Sequence, residues 1–232
     1  VKKGLLTFAV DECKPAVSLD SKYVDARLLL AGLYSSTKLV VEAIEQYDAV
    51  LKLEPKNSEA YVFKASLLLD EGRAAEAITL LNKLLTQDPD YFLGYYYLGR
   101  AYQKNNLIDK AMEQYRKAIR AKPAFTQAGL ALGGLLEERK QMRAAVKVYE
   151  ELFEETGDFQ SVARLAQIYI DGEEYEKALK YLLLLNNADE DNLNVRVKIG
   201  LIYIERKEYE KAAEMFRSIL QKAAMLNVCV TI

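Results

Sequence analysis

The sequence predicts an all-α fold: a right-handed superhelical α-solenoid of about six helix-turn-helix repeats. Pro55, Pro89 and Pro123 stand 34 residues apart, closing the similar phrases AIEQYDAVLKLEP, AITLLNKLLTQDP and AMEQYRKAIRAKP. A fixed period of this length marks stacked supersecondary units, each of which buries its apolar face only against its neighbours. Within each unit, apolar residues recur at the three-to-four spacing of a buried helical stripe. No segment reads as a strand.

Taken in order, residues 1–23 read as the second half of a preceding unit or as a capping helix, with a turn at 18–21. GLLTFAV at 4–10 follows two lysines, faintly as in a signal peptide. Asp11, Glu12 and Lys14 interrupt it at once and a small-residue cleavage site is missing, so a helix packed on the first repeat is expected. Six repeats follow at 24–57, 58–91, 92–125, 126–158, 159–192 and 193–226, and 227–232 form an apolar tail. The first carries Leu30, Ala31, Tyr34, Ala43 and Tyr47, with Arg27 at the early aromatic position. The second carries Tyr61, Ala65, Leu68, Ala77 and Leu81, with Lys64 where leucine is usual. The third is the fullest, with Tyr95, Leu98, Gly99, Tyr102, Ala111, Tyr115, Ala118 and Pro123. The fourth has Gly157 in place of the proline, and the last two have Glu190 and Ala224 there.

These marks resemble the tetratricopeptide repeat, whose pattern runs aromatic, Leu-Gly, Tyr, then Ala, Phe and Pro. Tyr95 stands where the family often has Trp, which this chain lacks altogether. The resemblance covers about residues 24–226 and implies paired antiparallel helices. Small residues at position 8 of each repeat (Gly99, Gly133, Gly200) are expected to face alanines at position 20 (Ala111, Ala178, Ala212), drawing the helix axes close. Proline ends the second helix because it cannot continue the hydrogen-bond ladder. Joints such as DEGR at 70–73 and DGEE at 171–174 carry turn chemistry.

Composition narrows the function. Thirty-two basic against 34 acidic residues give a net charge of −2, without the basic stripe of a nucleic-acid binder. No stretch reaches the ~20 apolar residues of a membrane span. Cys13 and Cys229 lie near opposite ends of the array, which argues against an intramolecular disulfide, and no metal spacing exists. Histidine is absent, so the commonest general base is missing; no Gly-rich phosphate loop is present, and no cofactor is expected. The expectation is a non-catalytic scaffold for a protein or peptide partner, in a cytoplasmic rather than periplasmic setting. A self-assembling subunit and an adaptor segment of a larger protein are the alternatives. The initial Val1 and the apolar MLNVCVTI at the end suggest a piece of a longer array, or a tail that docks on another copy and makes a homo-oligomer through exposed ends.

The first helix of each repeat is expected to line a concave groove. Positions 2, 5, 9 and 12 of that helix fall within about 80° of one another. Position 5 is apolar throughout: Leu28, Val62, Tyr96, Leu130, Ala163 and Val197. An exposed apolar row of this size marks an interaction site. The candidate residues are Leu28, Val62, Phe63, Ser66, Tyr96, Tyr97, Arg100, Gln103, Lys104, Leu130, Gly134 and Gln167, centred on repeats two to four. Tyr95 is read as packing and Tyr96 as groove. Position 5 can also touch the neighbouring first helix, which would make the row core; both readings stay open. Some relatives of the family clamp a chaperone's C-terminal carboxylate with Lys and Asn near positions 5 and 9. Here only Arg100, with Lys104 one turn on, supplies such charge, so the clamp is absent as a set.

Overall fold

The computed structural model describes the backbone of residues 2–229 and the side chains of residues 8–221. Among the described residues there are thirteen helices and no strand. Helix α1 spans Lys2–Leu19, and six hairpins follow. They are α2 (Val24–Ser36) with α3 (Val40–Leu53), α4 (Ser58–Asp70) with α5 (Ala74–Gln87), and α6 (Phe92–Lys104) with α7 (Ile108–Ala121). Then come α8 (Thr126–Glu138) with α9 (Met142–Thr156), α10 (Phe159–Asp171) with α11 (Tyr175–Ala188), and α12 (Leu193–Glu205) with α13 (Tyr209–Cys229). Every first helix has 13 residues. Residues 230–232 of the apolar tail and the Cys229 side chain lie outside the described residues.

The chain forms two compact units, Val1–Ala128 and Gly129–Ile232. In the first, α1 packs on α2, and Val10 shares a core with Leu30, Tyr34, Tyr47 and Val50. The helix carries Pro15 inside it and ends at Leu19, within the turn expected at 18–21. A second core joins Tyr61, Val62, Leu68, Leu69, Leu81 and Leu84 to Leu98 and Ala101 of α6. In the second unit α10 packs on α9 and α11, and α12 on α11 and α13.

All six hairpin turns are built alike. The residue two past the first helix takes the left-handed conformation: Lys38, Gly72, Asn106, Lys140, Glu173 and Lys207. The last carbonyls of the helix are met from beyond it, as where Gly72 N–H donates to Leu69 O and Arg73 N–H to Leu68 O. Only one of the six is glycine. In DGEE the glycine does not take that role: Gly172 has φ −87°, and Glu173 bears the positive φ of 56°. At the far end of the fourth hairpin, Gly157 (φ 67°) stops α9 where earlier repeats use proline.

The close approach within a hairpin differs from the sequence expectation. An added Cβ on Gly99 would lie 2.6 Å from the Tyr115 ring, on Gly133 2.3 Å from Tyr149, and on Gly200 2.7 Å from Phe216. The glycine at position 8 therefore faces the aromatic at position 24, and the nearest atoms belong to that ring rather than to the alanine at position 20. Glycine is needed because a ring edge occupies the place of a side chain, not because two small residues meet.

Candidate functional site

Which first-helix residues reach solvent follows from how the hairpins stack. At 100° per residue, positions 5 and 12 lie within 20° of each other, and positions 2, 6, 9 and 13 fill the next 60° or so. On α4 the first pair faces the following hairpin. Val62 is 2% exposed and Leu69 is buried with it, in one core with Leu98 and Ala101 of α6. Leu28 is half-buried against the core that holds Ala60 and Leu67 of α4. Tyr96 packs edge-on against Phe125 at 5.1 Å and Tyr97 at 5.2 Å, and burial pushes its hydroxyl pKa up. Val62 is thus inter-repeat core and Tyr96 a half-buried packing residue beside Phe125, which corrects the reading of the two as open groove. Tyr95 does pack, against the Ala118–Phe125–Ala128 cluster, and its hydroxyl donates to Pro89 O at 2.7 Å.

Position 12 is occupied by a different duty. The Tyr115 hydroxyl donates to Gln103 Oε1 at 2.9 Å, and that of Tyr149 to Glu137 Oε1 at 2.6 Å. Gln103 is therefore held by its own repeat and is not a free polar contact. Arg164 Nε adds a second donor on Glu137 at 3.0 Å.

The exposed stripe of unit one runs instead through position 6 and its flanks. Leu29 is 57% and Phe63 42% exposed; Tyr97, next in the row, is half-buried with the Arg100 guanidinium 5.3 Å from its ring centroid. Phe63 rests on Tyr47 at 6.3 Å between centroids, and this holds its ring in place. Beside the row, Gly32 has nothing within 4 Å of an added Cβ, and Ser66 is half-buried. Asp25, Glu59 and Asp70 are exposed along α2 and α4, and Lys104 closes α6. Arg100 makes only a loose ion pair with Asp70, 3.9 Å. Of the expected residues, Phe63, Ser66, Tyr97, Arg100 and Lys104 come together here. Leu29 was missed because it was assigned no position in the groove; its lack of a packing role was the available signal.

In unit two the same register carries charge. Position 6 holds exposed Arg164 and Lys198. Half-buried Leu130 and open Gly134 lie on α8, and Gln167 bridges Asp171 Oδ1 (2.7 Å) and Lys198 Nζ (2.8 Å). Among the described residues no helix is long and apolar enough to cross a membrane.

Stacked helical hairpins with a patterned first-helix face define a protein–protein interaction scaffold. The chain belongs to the tetratricopeptide repeat family, whose descriptions match residues 40–92, 68–132, 159–192 and 195–224. It is 25% identical over 186 residues to a Drosophila melanogaster protein described as a BBSome complex member BBS4 homolog, covering 77% of this chain and 37% of that one. It is 28% identical over 138 residues to the protein O-mannosyl-transferase TMTC1 of Mus musculus, covering 58% of this chain and 15% of that protein. The chain thus spans well under half the length of these relatives. Among solved structures, it is similar to a protein named MamA (TM-score 0.57, 28% identity, 66% of this chain and 90% of that one). The Pseudomonas aeruginosa pilF structure shares the fold (TM-score 0.65, 20% identity, 89% of this chain and 91% of that one).

Proposed function

We propose that the chain is a non-catalytic scaffold that holds a partner's extended peptide along the first-helix face of unit one. The observation that carries this is the row Leu29, Phe63 and Tyr97, apolar or aromatic at the same position of α2, α4 and α6, with the first two exposed and the third half-buried. Helices packed about 8–10 Å apart set the spacing of the row. A peptide in the polyproline II conformation rises about 3.1 Å per residue with three residues per turn, so apolar side chains at every third residue share one face and fall on successive first helices. Arg100 and Lys104 receive a carboxylate at one end, and Asp25 and Glu59 a basic side chain at the other. The aromatic pair supplies the anchors and the charges fix direction.

The test is a random peptide library selected on the full chain. Selected peptides with apolar residues three apart should lose binding to Phe63→Glu while that variant keeps its melting temperature. Peptides that bind the variant equally well, or a library that yields none, would sink the reading. Relatives described as transferases match this chain over a small fraction of their length, and a BBSome complex member is among the longer relatives. Both favour an adaptor segment of a larger protein as the setting in which such a scaffold works.

A further inference from the structure

On α4, Val62 at position 5 and Leu69 at position 12 are buried in one core with Leu98 and Ala101 of the hairpin that follows. On α12 the corresponding residues are Val197 and Ile204, and both are exposed, with Leu193 and Leu201 beside them; all four are between 37% and 51% exposed. Their 4-4-3 spacing keeps them within about 80° on the helix, as a stripe about 17 Å long. Large apolar side chains gathered on one face mark an interaction surface rather than scattered exposure.

The edge of the stripe says what fits it. Lys198 and Glu205 are seven residues apart, so they project within about 20° of each other, some 10 Å apart along the axis. Both line one hollow of about 210 Å³, together with Gln167, Ile170, Tyr175 and Leu201. Lys198 meets only the neutral Gln167, at 2.8 Å, and Glu205 forms no ion pair among the described residues. The neighbouring Arg206 is engaged, at 3.5 Å from Glu176 and 2.7 Å from Glu208.

From this charge pattern we infer that α12 docks on α12 of a second copy of this chain, antiparallel, about a two-fold axis level with Leu201. A two-fold perpendicular to the helix pair keeps each edge on its own side. It therefore brings each Lys198 opposite the Glu205 of the second copy. The apolar side chains interdigitate: the second copy's Ile204 falls level with residue 198, between Val197 and Leu201. Such an isologous contact closes at two and does not propagate. One helix face is smaller than the ~800 Å² per partner of a standard interface, so the dimer is weak, in the micromolar range. The surface lies in unit two and does not use the peptide row of unit one, so either reading can fail alone.

Sedimentation equilibrium of the full chain, from about 1 to several hundred micromolar, tests the inference. The wild type should move from monomer to dimer across that range, and Leu201→Glu should stay monomeric with an unchanged circular dichroism melt. Lys198→Glu and Glu205→Lys should each weaken dimerisation about tenfold or more, because like charges then face one another. The double reversal K198E/E205K should restore it, and an equimolar mixture of the two single variants should form a heterodimer. A monomeric wild type, a dimer that survives Leu201→Glu, oligomers beyond two, or charge reversals without rescue would each overturn the proposal.

Discussion

Gly133 and Gly134 are adjacent in α8, and alanine should have opposite effects at the two. At Gly134 an added Cβ meets nothing within 4 Å, so alanine removes only the flexibility that glycine brings to a helix. It should stabilise by roughly 0.5–1 kcal/mol. At Gly133 the added Cβ lies 2.3 Å from both Cε1 and Cζ of Tyr149 and 2.7 Å from its hydroxyl. That ring is buried and its hydroxyl is tied to Glu137 at 2.6 Å, so it has nowhere to retreat without breaking a bond. Overpacking costs about 1–3 kcal/mol. The hydrogen bond to a carboxylate is worth about 1.5–3 kcal/mol if it is lost entirely. Against these stands the same propensity gain of about 1 kcal/mol, leaving a net loss near 2 kcal/mol. Guanidinium unfolding monitored by circular dichroism would measure both variants, compared through their midpoints at constant slope. Tyr149→Leu should rescue Gly133→Ala, since the second and fifth hairpins pair buried Ala65 with Leu81 and Ala166 with Leu182. Tyr47 opposite Ala31 in the first hairpin shows that a ring and an alanine can coexist where the helices are spaced for them. If the two glycine variants shift the midpoint in the same direction, the close approach of Gly133 to Tyr149 is wrong.

Two further outcomes follow from backbone and burial. Glu173→Gly should raise the melting temperature, relieving a left-handed residue that costs about 1–2 kcal/mol against a smaller entropic loss, while Gly72→Ala at the equivalent turn should lower it. Stability should also fall in alkali. Burial raises the hydroxyl pKa values of Tyr115 and Tyr149 above the ordinary value near 10. The unfolded chain therefore ionises first; the contribution is full below about pH 10 and is lost as pH rises beyond it. Denaturation midpoints measured between about pH 9 and 11 should fall, and less steeply in Tyr149→Phe; a flat profile would show that these rings are not desolvated.

The helix plan was readable because it is periodic: first helices begin at 24, 58, 92, 126, 159 and 193, one repeat apart. The face was harder. Positions 5 and 6 differ by 100°, and a helical wheel drawn on one hairpin cannot say which arc the next hairpin covers. Val62 and Phe63 are both apolar neighbours in sequence, yet one is core and the other solvent-facing, and only the placement of α6 on α4 separates them. The DGEE turn misled for a local reason. Helix length sets which residue must turn left-handed, and in α10 that residue is Glu173, one past the glycine.

One regularity was present in the sequence and passed unnoticed. Where position 24 is tyrosine (Tyr47, Tyr115, Tyr149), position 12 is polar: Ser35, Gln103 and Glu137. Where position 24 is Leu81, Leu182 or Phe216, position 12 is Leu69, Ile170 or Ile204. The hydroxyls of Tyr115 and Tyr149 explain Gln103 and Glu137, since a buried hydroxyl needs an acceptor and position 12 provides it. An apolar partner at position 24 leaves nothing for a polar group to bond, and a polar side chain there would be desolvated without return. Position 12 is thus tied to the hairpin's own core and position 5, in unit one, to the next hairpin. Positions 2, 6, 9 and 13 are the ones left free of either duty, which is why the proposed peptide row falls there. Ile204 shows the converse: its place in this scheme makes it apolar, and with no hairpin over it in the described residues it stands exposed beside Leu201.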